Sequence, residues 1–139
     1  MLRKREFLRA VVLVVAMVVV FAVAYFAEMW LRQLRVVANA EFKFAPYYWA
    51  TGLSNLALAV ILVSLLWAVL RSGSVHLAVF AVYFVAGGIV VMDPVLRIYG
   101  VRILPSEAVL TFPHGLLVTA GAFFAGTGLI GLVLSIWQR

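Results

Sequence analysis

The chain has 139 residues, of which 67% are hydrophobic and only 12% charged. A soluble domain of this size cannot hide so much apolar surface, because small domains keep a high surface-to-volume ratio and ordinary ones carry about 25% charged residues; the surplus calls for lipid as its solvent. The net charge of +6 would suit a nucleic-acid partner in a soluble protein, but four of the eleven basic residues fall in the opening MLRKREFLR, where they read as a topology signal and an anchor to anionic headgroups, so no nucleic-acid partner is expected.

The first apolar run is 10–31, AVVLVVAMVVVFAVAYFAEMWL. Its basic start and the small-x-small pattern of AVAY at 22–25 resemble a secretory leader, yet its apolar core exceeds the usual limit of about 15 residues, so it is read as a retained helix. A connection is expected over 32–46. The second run is 47–70, followed by the tight turn RSGS, which sets up an antiparallel hairpin with the third run, 74–96. A longer connection follows at 97–112. Within it, Ser106 after Pro105 is placed to cap a short interfacial helix beginning at Glu107. The fourth run, 113–137, opens on Pro113, a residue suited to a first helical turn.

Each run reaches the roughly 20 apolar residues that a spanning helix needs, and none alternates with the period of a barrel strand. The expected fold is therefore all-α and integral to the membrane. It is a four-transmembrane-helix up-and-down bundle over residues 1–139, with the short interfacial helix before the fourth span. Four spans put both termini on one side. Arg3, Lys4, Arg5, Arg9, Arg71 and Arg139 share that side; Arg32, Arg35, Lys43, Arg97 and Arg102 lie on the other. The basic cluster before the first span places both termini in the cytoplasm. Trp67 and Trp137 then mark the inner interface, and Trp30, Tyr47, Tyr48, Trp49 and Tyr99 the outer one.

This topology gathers polar groups at one level. Twenty residues from Ser74 climb about 30 Å, one hydrocarbon thickness, so Asp93 reaches the outer boundary. Pro94, which lacks an N–H and crowds the carbonyl of Val90, is expected to kink or end the helix there. Arg97 follows Asp93 by four residues and can pair with it if one more turn forms. Glu28, Asn55 and His114 come from the other three spans at the same level. Glu28, Asn55, Asp93, Arg97 and His114 form the candidate binding site, an outer-mouth polar cluster. The plain alternative is that these side chains merely snorkel into the headgroups.

The chemistry that the chain excludes is broad. With no cysteine there is no disulfide, thiolate metal site or cysteine nucleophile. His76 and His114 belong to opposite faces of the bundle, which excludes bis-histidine haem within one copy. Imidazole and thioether at His114, Met29 and Met92, with Glu28 and Asp93, would suit copper, but no tight ligand spacing supports a metal site. No HExxH, P-loop or Rossmann glycine pattern appears. No catalytic residue and no cofactor is assigned.

Packing gives the most positive signal. Gly121, Ala125 and Gly128 share one face of the fourth run, Ala120, Thr127 and Gly131 another, and the third run contributes Gly87 and Gly88. Small residues let membrane helices approach closely where lipid supplies no hydrophobic drive. The first run, bulky throughout, is expected to face lipid or an apolar neighbour. The leading expectation is a non-catalytic accessory subunit of a larger membrane complex, its partners being the lipid bilayer and other membrane subunits or copies of itself. The alternatives are a small oligomeric transporter or channel with an acidic outer mouth, and a redox or metal-handling protein using His114.

Overall fold

A computed structural model describes residues 2–71, 77–101, 103 and 115–137. Among them the chain is helical throughout, with α1 at Leu2–Glu41, α2 at Ala45–Arg71, α3 at Leu77–Ile98 and α4 at Leu116–Trp137. Three stretches are long and apolar enough to cross a membrane: Lys4–Glu41, Ala45–Val69 and Leu116–Trp137. The apolar part of α3, Leu77–Asp93, is shorter.

The expected connection over 32–46 is mostly helix. Residues 32–41, RQLRVVANAE, contain neither proline nor glycine, and Leu31 and Ala38 are buried, so the helix has both propensity and packing to continue. It stops where Phe42 takes a left-handed conformation (φ 56°) and Lys43 N–H reaches back to the Ala38 carbonyl, a six-to-one closure of the C-terminus. Phe44 then accepts the Tyr48 N–H and starts α2, with Pro46 in the first turn, where its missing N–H costs nothing. The turn between the two long helices is therefore three residues, Phe42 to Phe44.

Pro94 likewise does not end α3, which continues one further turn to Ile98. The helix ends instead in a Schellman motif around Gly100 (φ 82°), where Gly100 N–H bonds the Arg97 carbonyl and Val101 N–H the Leu96 carbonyl, both at 3.0 Å. Only glycine adopts that φ without penalty.

The core is one cluster to which all four helices contribute, α2 through Leu58, Leu62 and Val69. One face of α1, through Leu13, Met17, Val20 and Ala24, is buried, so the bulky first run is only partly an outward surface. Val14 packs partly on the core, whereas Val18 is exposed. Midway along, Phe124 meets Tyr83 edge-on at 4.9 Å and Phe21 at 5.1 Å, and the Tyr83 hydroxyl donates to the Leu13 carbonyl at 2.9 Å.

The tightest contact is between α3 and α4, which run antiparallel. A methyl added at Gly87 would overlap the Ala125 backbone nitrogen and the Gly121 carbonyl; one at Gly128 would overlap the backbone of Phe84 and Phe80. One at Gly131 would enter the Phe80 ring, and one at Gly121 would sit 2.7 Å from Val90 Cγ1. Gly88 faces away, with open space at its Cβ position. The second helix packs on α1 and more lightly on α4; its sequence neighbour α3 is not among its main partners. The link between α2 and α3, and the expected interfacial helix at 107–112, lie outside the described residues.

Candidate functional site

The start of α4 lies beside the end of α3, since Gly121 faces Val90 and Gly131 faces Phe80, and Glu28 of α1 reaches that same end through Leu116. Polar side chains collect there, in two arrangements.

The first is built on α3. Asp93 is fully buried, and its Oδ2 accepts a 2.6 Å charge-assisted bond from Arg97 Nε, one turn on. Its Oδ1 accepts the Ile103 N–H at 3.1 Å. The carboxylate thus ties the chain that leaves the Schellman turn back onto the helix. Burial of a lone carboxylate would be prohibitive, and the pairing with a guanidinium and a backbone N–H offsets it. The pair is a structural clasp around the end of α3, with both carboxylate oxygens committed.

The second is built on α1, α2 and α4. Gly115 precedes α4 and has no side chain to cap it. Glu28, from the facing helix, fills that role: its Oε2 accepts the Leu116 N–H at 2.7 Å. A methyl on Gly115 would sit 2.9 Å from both Glu28 oxygens, so the glycine is what admits the carboxylate. A carboxylate at the positive end of a helix is favoured by the dipole as well as by the hydrogen bond. Beside this cap opens a cleft of about 390 Å³ lined by Glu28, Leu31, Arg35 and Asn39 of α1, by Phe44, Tyr47, Tyr48, Thr51 and Asn55 at the start of α2, and by Gly115 and Leu116. Its volume is within the range of small-molecule sites.

The α2 wall is braced one turn at a time. Thr51 Oγ1 donates to the Tyr47 carbonyl at 2.8 Å, and Asn55 Nδ2 to the Thr51 carbonyl at 2.9 Å. Asn55 spends one amide N–H on its own helix, which leaves its second N–H and its carbonyl oxygen for other partners. Along α1, Glu28, Leu31, Arg35 and Asn39 recur at intervals of three and four and so share one face.

Of the five residues grouped in the sequence, Glu28 and Asn55 line the cleft, while Asp93 and Arg97 form the clasp on α3. His114 and His76 lie outside the described residues. Met29 is half-buried and Met92 exposed. Among the described residues no three His, Cys, Asp or Glu side chains lie close enough to hold a metal ion. Sequence reasoning missed Arg35, Asn39, Tyr47, Tyr48 and Thr51 as residues lining the same cleft as Glu28; Arg35 and Asn39 were missed because it ended the first helix at Leu31. The available signal was the unbroken run of helix formers to Glu41, which carries the face of Glu28 two turns further.

Comparison with protein-family models, curated proteins and solved structures finds no match to this chain.

Proposed function

We propose that the chain is a four-span integral membrane protein without catalytic chemistry, an accessory subunit that carries a neighbouring membrane protein on its second helix. The observation that carries this reading is the one-sided seating of α2. It packs on α1 and lightly on α4, and the opposite face, through Leu53, Leu56, Val60, Val63 and Trp67, is exposed. These positions recur at spacings of three and four, the pattern of a helix–helix seam. In this reading α3, 22 residues and about 33 Å long at 1.5 Å per residue, completes the four spans, and its paired Asp93 and Arg97 sit at the outer boundary. The N-terminal basic cluster puts both termini in the cytoplasm.

A transporter or channel has less support. The middle of the α1–α3–α4 core is filled by Phe21, Tyr83 and Phe124, and Tyr83 already spends its hydroxyl on a backbone carbonyl. Purification from the native membrane in mild detergent tests the reading. A second protein in fixed stoichiometry supports it. A chain that runs alone as a monomer contradicts it, and a pure homo-oligomer favours the transporter.

A further inference from the structure

The side of α3 that turns away from α4 carries a groove. Ala10, Val11, Val14 and Val15 of α1 bound a hollow of about 230 Å³ with Ala78 and Val82 of α3. A second hollow of about 380 Å³ follows on α3 among Ala81, Val85, Ala86 and Ile89, and Val82 lines both. The groove exists because α3 spends its closest contacts on α4, and because alanine at 10 and 78 leaves space where α1 and α3 meet. Its lining is aliphatic throughout and offers no hydrogen bond to a partner helix.

The groove has a defined length and a charged end. From Ala78 to Ile89 the helix rises about 16 Å at 1.5 Å per residue, half of the roughly 30 Å hydrocarbon core and thus one leaflet. The helices α1 and α3 run in the same direction: Leu13 meets Tyr83 in the first half of each, and Glu28 reaches the far end of α3 through Leu116. The basic start of α1 therefore stands at the Ala78 end. Lys4 precedes Val11 by seven residues, so it lies on the groove's own face of α1, about 10 Å beyond it, and it is exposed. Phe7, exposed on that face between them, extends the apolar strip. Four basic residues against one acid, Glu6, make this end positive.

These two features select an occupant. A lipid chain fills an aliphatic groove one leaflet long without leaving a polar group unsatisfied, as a lone stretch of backbone would. A headgroup with net negative charge is drawn to lysine at the membrane surface, whereas a zwitterionic one gains little there. We propose that this groove holds an anionic phospholipid of the leaflet next to the chain's N-terminus, its acyl chain along α3 from Ala78 to Ile89 and its headgroup against Lys4. The site rests on the reading that α1 and α3 cross the bilayer side by side, and not on which neighbour α2 carries.

The test extracts the full chain gently from vesicles of equal parts dioleoylphosphatidylcholine and dioleoylphosphatidylglycerol and weighs it by native mass spectrometry. One phosphatidylglycerol should stay on each chain, in roughly fivefold or greater excess over phosphatidylcholine. Lys4→Gln should cut that preference roughly fivefold, the amount one basic residue near an anionic surface supplies. Val82→Trp, whose ring fills the groove, should strip off either lipid, whereas Leu53→Trp on the exposed face of α2 should leave the lipid in place. The chain has no cysteine, so Val85→Cys gives a separate check: in intact vesicles a membrane-impermeant maleimide should leave it unreacted. Labelling of that cysteine overturns the bilayer placement of α3, and the lipid site with it. With the cysteine unlabelled, no retained lipid, equal retention of the two lipids, indifference to Lys4→Gln, or a second copy of the chain in place of lipid overturns the lipid site alone.

Discussion

Two helix pairs in this chain solve the same packing problem in opposite ways. The α3–α4 pair brings backbones together: Gly87, Gly121 and Gly128 leave no room for a methyl group, and these approaches run from Val90 to Phe80 along α3. The α1–α2 pair has no such glycine contact, and at one end it opens into the cleft lined by Glu28, Arg35, Tyr47 and Asn55. The contrast follows from composition. Small residues recur on facing sides of α3 and α4, whereas Gly52, the glycine of α2, points into open space. In lipid, where helices gain little from hiding apolar surface, close backbone approach and its dispersion contacts are what hold a pair together. A pair without it is the one free to shape a site or to carry a neighbour.

Adding a single methyl group should separate the two pairs most sharply. Gly87→Ala or Gly128→Ala pushes a Cβ into the backbone of the facing helix and should cost about 2–3 kcal/mol in reversible unfolding in mixed micelles. Gly126→Ala and Gly52→Ala, with open space at Cβ, should instead gain about 0.5–1 kcal/mol, because alanine loses less chain entropy in a helix. Equal effects at all four positions would mean that the tight pair is not tight.

The clasp on α3 comes next. Asp93→Asn leaves Arg97 without its charged partner in a largely buried setting and should cost about 2–3 kcal/mol. Combining it with Arg97→Gln should recover part of that loss, since no lone charge remains. Additive costs in the double-mutant cycle would show that the two residues act separately.

The smallest effect joins the pairs rather than separating them. Tyr83→Phe removes the hydroxyl that bonds the Leu13 carbonyl and should cost about 0.6 kcal/mol, since Leu13 belongs to a helix whose carbonyls already have backbone donors. A loss above about 2 kcal/mol would show that this bond anchors α1 to α3 more strongly than its geometry implies.

Much of this was legible in the sequence because composition fixes solvent. The apolar runs and their order follow from hydropathy, and the small residues of the fourth run identify its packing face. The pairing of Asp93 with Arg97 follows from a spacing of four. Three features were not legible, each because tertiary context outweighed a local signal. Pro94 was expected to kink or end α3; the helix does not end there, since the cost falls on a single carbonyl near the helix end and Asp93 holds Arg97 and Ile103 beyond it. Hydropathy ended the first helix at Leu31, although burial of Ala38 carries the helix to Glu41. The role of Glu28 as the cap of α4 depends on a glycine 87 positions away, and no local pattern announces it.

We propose that α2 is the helix that meets a neighbour. The most direct measurement places a photo-crosslinking amino acid at Val60 on its exposed face, and at Ile130 on the exposed face of α4, in native membranes. Irradiation should give one discrete larger species from Val60 and only lipid adducts from Ile130. Lipid adducts alone from both positions, or the same protein adduct from both, would rule out α2 as that helix.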